Sequence, residues 1–151
     1  KVTAENVFPQ EPDGIVQERV EQRLAVAVPM FQLGFKDNYT NCEGREFLKR
    51  EAAMGILLSM LVGRSSDFYE EMYRQGLINS SFSSEYFWVQ MFNSVENIAV
   101  QYVGYYFAKA DFFQVLDVFD EVTLDDVMTL LDQVFQKENM ALSVVRPVDK
   151  A

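Results

Sequence analysis

The sequence holds 151 residues, 49% of them hydrophobic and 14% aromatic, enough apolar material for one globular core. Its 23 acidic against 13 basic residues leave a net charge of −10 with no dense Lys/Arg stripe, which excludes nucleic acid and anionic membrane surfaces as partners. It contains no histidine, so a Ser-His-Asp triad, a Cys-His pair and a His-ligated zinc site are excluded together, and no residue is expected to be catalytic or to bind metal.

Residues 1–14 contain Pro9 and Pro12, several acids and no periodicity, and are expected to be a linker or arm ahead of a single domain over 15–151. The start at Lys1, without an initiator Met or a leader pattern, points to an internal piece of a longer protein. Val16, Val20, Leu24, Val26 and Val28 alternate with polar residues, the period of a strand with one wet face. Pro29 interrupts that ladder at a bulge or edge, and Phe31, Leu33 and Phe35 then carry the apolar face at odd positions. After a polar loop, Arg45 opens a helical stretch. Its residues 52–62 are apolar nearly all round, a helix buried on most sides that Gly63 ends. That apolar run is about half of the ~20 residues a membrane span needs. With a lone Cys42, which can form no intrachain disulfide, the chain is expected to be soluble and cytoplasmic.

Ser65, Ser66 and Asp67 offer N-caps for a second helix, with Glu70 at capping-box spacing from Asp67 and Gly76 as its C-terminal stop. Residues 82–87 read as a short aromatic strand. Asn93 and Glu96 stand at N-cap and N3 spacing for an amphipathic helix along Val95, Ile98, Ala99, Tyr102, Tyr105 and Tyr106. Residues 112–119 form a shorter helix, and Leu124, Val127, Met128, Leu131, Val134 and Phe135 make the stripe of another. A final strand over 140–145 stops at Pro147. The order implies an α+β fold, a mostly antiparallel sheet covered by helices on one face. The acids Asp120, Glu121, Asp125 and Asp126 are the densest cluster. With Thr123 before them they read as a helix start favoured by the N-terminal dipole, because they lack the spacing and glycine of a calcium loop. Helical spacing assigns Tyr102, Tyr105, Tyr106, Phe107, Phe112 and Phe113 to packing before any binding role.

Four patches in order carry a resemblance. EAAMGILLSMLVGRSSDFYEEMYRQGLINSSFS (51–83) has a buried helix ending at a glycine and serine pair, then a shorter helix and a Gly-Leu turn. NSVENIAVQY (93–102), DVFDEVTLDDVMTLL (117–131) and ENMALSVVRP (138–147) follow it. Together they resemble the insulinase-like (pitrilysin-type) zinc metallopeptidases, nearest to the bacterial processing-protease-like branch, whose two α+β halves form a clamshell. The resemblance implies a zinc-dependent peptidase as parent. The metal would sit in an H-x-x-E-H motif of the N-terminal half, absent here, so this chain matches the C-terminal or a non-catalytic half. The implied partners are the other peptidase half and a peptide substrate. The alternative is a catalytically inactive interaction or scaffold module of the same fold, and a third possibility is a carboxylate enzyme with a site of its own.

Active members place an arginine and a tyrosine around the Gly-Leu turn to grip substrate. The matching positions hold Met72 and Asn79, leaving Asn79 as a hydrogen-bond donor and the neighbouring Tyr73 and Arg74 as substitutes. The resemblance also implies further strands and a helix between Phe87 and Asn93, so a segment is expected to be missing near residues 87–90.

Overall fold

In the computed structural model, residues 12–39, 42–82 and 94–148 are described. Contacts divide the chain into two compact units, Lys1–Thr40 with Asp132–Ala151, and Asn41–Leu131.

Among its described residues the first unit holds a three-stranded sheet in the order β1 (Arg19–Leu24), β3 (Met140–Pro147), β2 (Met30–Phe35). The central strand pairs in parallel with β1, from Arg19 opposite Leu142 to Leu24 opposite Pro147. It pairs antiparallel with β2, from Met30 opposite Val145 to Phe35 opposite Met140. The sheet is therefore mixed, and the expected antiparallel pairing holds on one side of β3. Pro29 falls just before β2, an edge strand, where its missing N–H costs the ladder nothing. Residues opposite one another in register share a face. Val20 and Leu24 thus lie on the face of Ser143 and Pro147, while Phe31, Leu33 and Phe35 lie with Val144, Leu142 and Met140 on the other. The two apolar alternations fall on opposite faces, and neither edge strand is buried. Phe35 packs on Phe135 in a tilted pair with ring centroids 4.7 Å apart, and Arg146 and Arg19 both pair with Glu21.

The second unit is helical: α1 (Gly44–Val62), α2 (Asp67–Arg74), α3 (Val95–Phe107), a 3-10 turn at Phe112–Gln114, α4 (Val115–Phe119) and the start of α5 (Leu124–Val134). Its core joins Leu48, Tyr105, Phe112, Val115 and Val118, with Phe47, Ile98 and Ala110 packed against them. Helix α1 buries Leu48, Ala52, Gly55 and neighbouring Ala53 and Leu57, but its last turn opens to solvent at Ser59 and Met60. Within α1 and α3, Glu51 accepts a 2.7 Å hydrogen bond from the Tyr105 hydroxyl.

The caps are local and legible. Of the three caps the sequence offers, Ser66 starts α2 by taking the N–H of Tyr69 at 3.1 Å, and Asp67, expected to form a capping box with Glu70, is instead the first helical residue. The helix ends in a Schellman motif, with Gly76 N–H to Tyr73 O, Leu77 N–H to Met72 O and Gly76 at φ +70°. Helix α3 starts one residue later than the sequence implies, with Ser94 and not Asn93 as N-cap. It ends in the same motif, with Lys109 in place of glycine at φ +53°. The expected amphipathic stripe of α3 is also narrower: Tyr105 is buried and Ile98 half-buried, while Val95, Tyr102 and Tyr106 are exposed. In α5 the buried positions are Val127, Leu130 and Val134, and Leu124 and Met128 face solvent. The expected strand over 82–87 and the suspected break at 87–90 fall, apart from Phe82, outside the described residues, as do 1–11 of the expected arm.

The acidic cluster behaves as a helix start. Thr123 N–H donates to Asp126 Oδ2 at 2.8 Å and Asp126 N–H donates to Thr123 Oγ1 at 3.3 Å, a capping box with aspartate at its third position. The Thr123 hydroxyl, then the Lys49 ammonium 2.9 Å away, hold the Asp126 carboxyl down at about 2 from its ordinary 3.8. A lowered carboxylate stabilises the fold above its unfolded pKa, and that stability is lost as pH falls through the folded value. Asp126→Asn is expected to cost about 1 kcal/mol at neutral pH, the usual worth of a cap. Urea midpoints of the variant and the parent chain should converge as pH is lowered from 4 towards 2. A gap that stays constant over that range contradicts the assignment.

Candidate functional site

Helix α1 stops at Gly63, whose N–H reaches Ser59 O at 3.1 Å, and Ser66 N–H returns to Gly63 O at 2.9 Å. That tight connector places Arg64 and Ser65 beside the outer face of α2. Arg64, Ser65, Tyr69, Glu70, Tyr73 and Arg74 line a shallow concavity of about 470 Å³ that is widely open to solvent. The i, i+4 spacing of Tyr69 and Tyr73 stacks their rings at 6.0 Å with planes 10° apart, and Phe82 flanks Tyr69 at 6.0 Å. Arg74 is paired with Glu71 on its own helix.

The structure thus brings Tyr73 and Arg74 together and leaves Asn79 out. Asn79 accepts from Ser81 N–H at 2.9 Å and from Ser81 Oγ at 2.5 Å, holding the turn after α2. Met72 is half-buried and closes the α2 terminus through its carbonyl. Sequence reasoning missed Arg64 and Tyr69. The tyrosine spacing was a usable signal, whereas Arg64 comes to the site only because the connector turns tightly.

The remaining titratable groups do not converge. Burial pushes the Glu51 carboxyl above the usual carboxylate range despite the Tyr105 hydrogen bond, and burial followed by the Glu51 charge raises the Tyr105 phenol. Glu121 is lowered by Arg45, Glu71 by Gln75 and Arg74, and Glu21 by Arg19 and Arg146. Among the described residues Glu51 is the carboxyl group whose pKa is raised. No three His, Cys, Asp or Glu side chains gather among them as metal ligands. With no histidine and one cysteine in the whole sequence, the donor set does not fit a catalytic zinc. No described helix is long and apolar enough to cross a membrane.

No family model matches the chain. An uncharacterized zinc protease of Bacillus subtilis (strain 168), YmfH, is 22% identical over 188 residues, covering 91% of this chain and 44% of its own length. Among solved structures, an M16-like peptidase from Alicyclobacillus acidocaldarius superimposes with a TM-score of 0.80 at 19% identity, covering 94% of this chain and 46% of that one. The chain has an insulinase-like peptidase fold. A protease from Helicobacter pylori shares it with a TM-score of 0.61 at 14% identity, over 95% of this chain and 48% of its own. The chain spans about half the length of the relatives it matches.

Proposed function

We propose that this chain is the non-catalytic, C-terminal half of a zinc-dependent peptidase, closing over an extended peptide opposite the half that carries the metal. The observation that carries the reading is a pair of facts: the chain matches 44% of a zinc protease, yet has no histidine with which to bind zinc. Under this reading residues 15–151 are one peptidase half, its partner is the metal-bearing half, and the parent works in the cytoplasm. Tyr73 and Arg74 contact the peptide, while Asn79, also a candidate from the sequence, holds the turn after α2 outside the concavity. The match to YmfH runs over 188 residues, more than the 151 of this chain, so the relative carries residues within the matched stretch that this chain lacks. That supports a segment missing inside the chain.

The 151-residue chain is expected to show no cleavage of a quenched fluorescent peptide library and to retain no zinc after dialysis. The parent protein containing it is expected to cleave, and to lose activity with 1,10-phenanthroline. Cleavage by the isolated chain would overturn the reading. A scaffold role is the second reading, favoured by Met72 and Asn79 at the positions where active relatives hold arginine and tyrosine. Absence of an H-x-x-E-H helix upstream of Lys1 would decide for it.

A further inference from the structure

We propose that the concavity between the α1–α2 connector and α2 is a carboxylate-binding subsite for peptide, with Arg64 as the anion-binding residue and Tyr69 and Tyr73 as its apolar wall. It rests on the reading of the chain as a peptide-binding half, and adds the chemistry that the site selects.

The argument begins with charge. In a chain with 23 acids to 13 bases, arginines are expected to meet carboxylates. Arg19, Arg45, Arg74 and Arg146 each do so. Arg64 is different: among the described residues its guanidinium meets only the Ser80 carbonyl, at 3.4 Å, and pairs with no acid. That bond uses one of five donors at near-limiting distance and leaves the rest of the fork open towards the concavity it lines. Its backbone is set by the two connector hydrogen bonds on either side, so a ligand need not order the turn it binds to. The geometry of a guanidinium fork matches a planar carboxylate in bidentate fashion.

The other lining groups restrict the ligand. The charge of Arg74 is already met by Glu71, and Glu70 lines the same wall. One arginine cation beside the Glu70 carboxylate suits a monoanion and repels a phosphate dianion. The stacked rings of Tyr69 and Tyr73, the latter 54% exposed, offer a flat apolar surface next to the charge. A peptide carboxylate beside an aromatic or aliphatic side chain meets both demands. The carboxylate can come from the peptide C-terminus or from an Asp or Glu side chain.

Fluorescence anisotropy with three dansyl-labelled forms of one Phe-containing hexapeptide tests this on the 151-residue chain. One form has a free C-terminus, one is amidated with an internal Glu, and one is amidated with Gln in its place. At least one carboxylate form is expected to bind tenfold or more tightly than the Gln amide, and which one does so identifies the source. Arg64→Gln is expected to erase that ratio and Arg64→Lys to keep part of it, at unchanged circular dichroism and urea midpoint. Tyr73→Ala should weaken all three peptides about fivefold while preserving the ratio, so the two parts of the site are read separately. Equal binding of the three forms, no binding of any, or a ratio that survives Arg64→Gln overturns the proposal. If the parent still cleaves peptides in a zinc-dependent way after such a result, the subsite fails and the peptidase-half reading stands.

Discussion

Phe112→Ala is expected to lower the unfolding free energy by about 3–5 kcal/mol, the range found for truncating a buried phenylalanine. Phe112 is 1% exposed and opens the turn that feeds α4, held there by Asp111, whose side chain caps Phe113 N–H at 3.0 Å. Its ring meets Tyr105 at 5.6 Å and Tyr102 at 6.4 Å, and it belongs to the same cluster as Leu48, Val115 and Val118. Removing it leaves a void that parts of three helices would have to collapse to fill. Globular domains hold roughly 5–15 kcal/mol in all, so the variant loses a large share of that margin. Urea denaturation reads the loss as a fall in midpoint with little change in slope. Phe113→Ala, at a residue 72% exposed, is the matched control and should cost under about 1 kcal/mol. Similar losses for the two would mean that the core is not centred where this structure puts it.

Gly63→Ala is expected to cost about 2–3 kcal/mol, although the backbone there, at φ −65° and ψ 161°, is open to any residue. The obstacle is space. An added Cβ would overlap the Ser59 carbonyl oxygen and stand 3.1 Å from its carbon and 3.2 Å from its Cα, all backbone atoms that cannot rotate aside. Relief requires the connector to move and to give up the Gly63 N–H to Ser59 O bond. The same shift would displace Arg64, so the variant should also lose the carboxylate preference in the peptide assay. Gly104, inside α3, has nothing within 4 Å of an added Cβ. Gly104→Ala should therefore stabilise the chain by about 1 kcal/mol through helix propensity and a less flexible unfolded state. Thermal melts of the two variants that shift in the same direction would contradict this account.

The sequence by itself determined the features that depend on near neighbours. Capping by Thr123 with Asp126, the glycine stop at Gly76 and the helix end at Gly63 all rest on groups within five residues of one another, as does the cap of α2, for which the sequence offers three neighbouring candidates and the structure selects Ser66. The chemical exclusion is likewise a property of composition, since no folding can supply a histidine that the chain lacks. The order of four weak patches was enough to reach the insulinase-like fold, because each patch is a local element and their sequence is a topology.

The tertiary structure alone decided what depends on distant partners. Alternation marked β1 and β2 as strands, but only their pairing on either side of β3, one parallel and one antiparallel, put Val20 and Phe31 on opposite faces. Periodicity placed Tyr102, Tyr105 and Tyr106 on a helix, yet burial selects Tyr105, the one whose hydroxyl meets Glu51 on α1. Tyr73 and Arg74 were legible as candidates from their place beside the Gly-Leu turn, while Arg64, which meets no acid among the described residues, was not. Whether an arginine finds a carboxylate is a matter of which acids the fold brings near it, and neither residue type nor spacing contains that information.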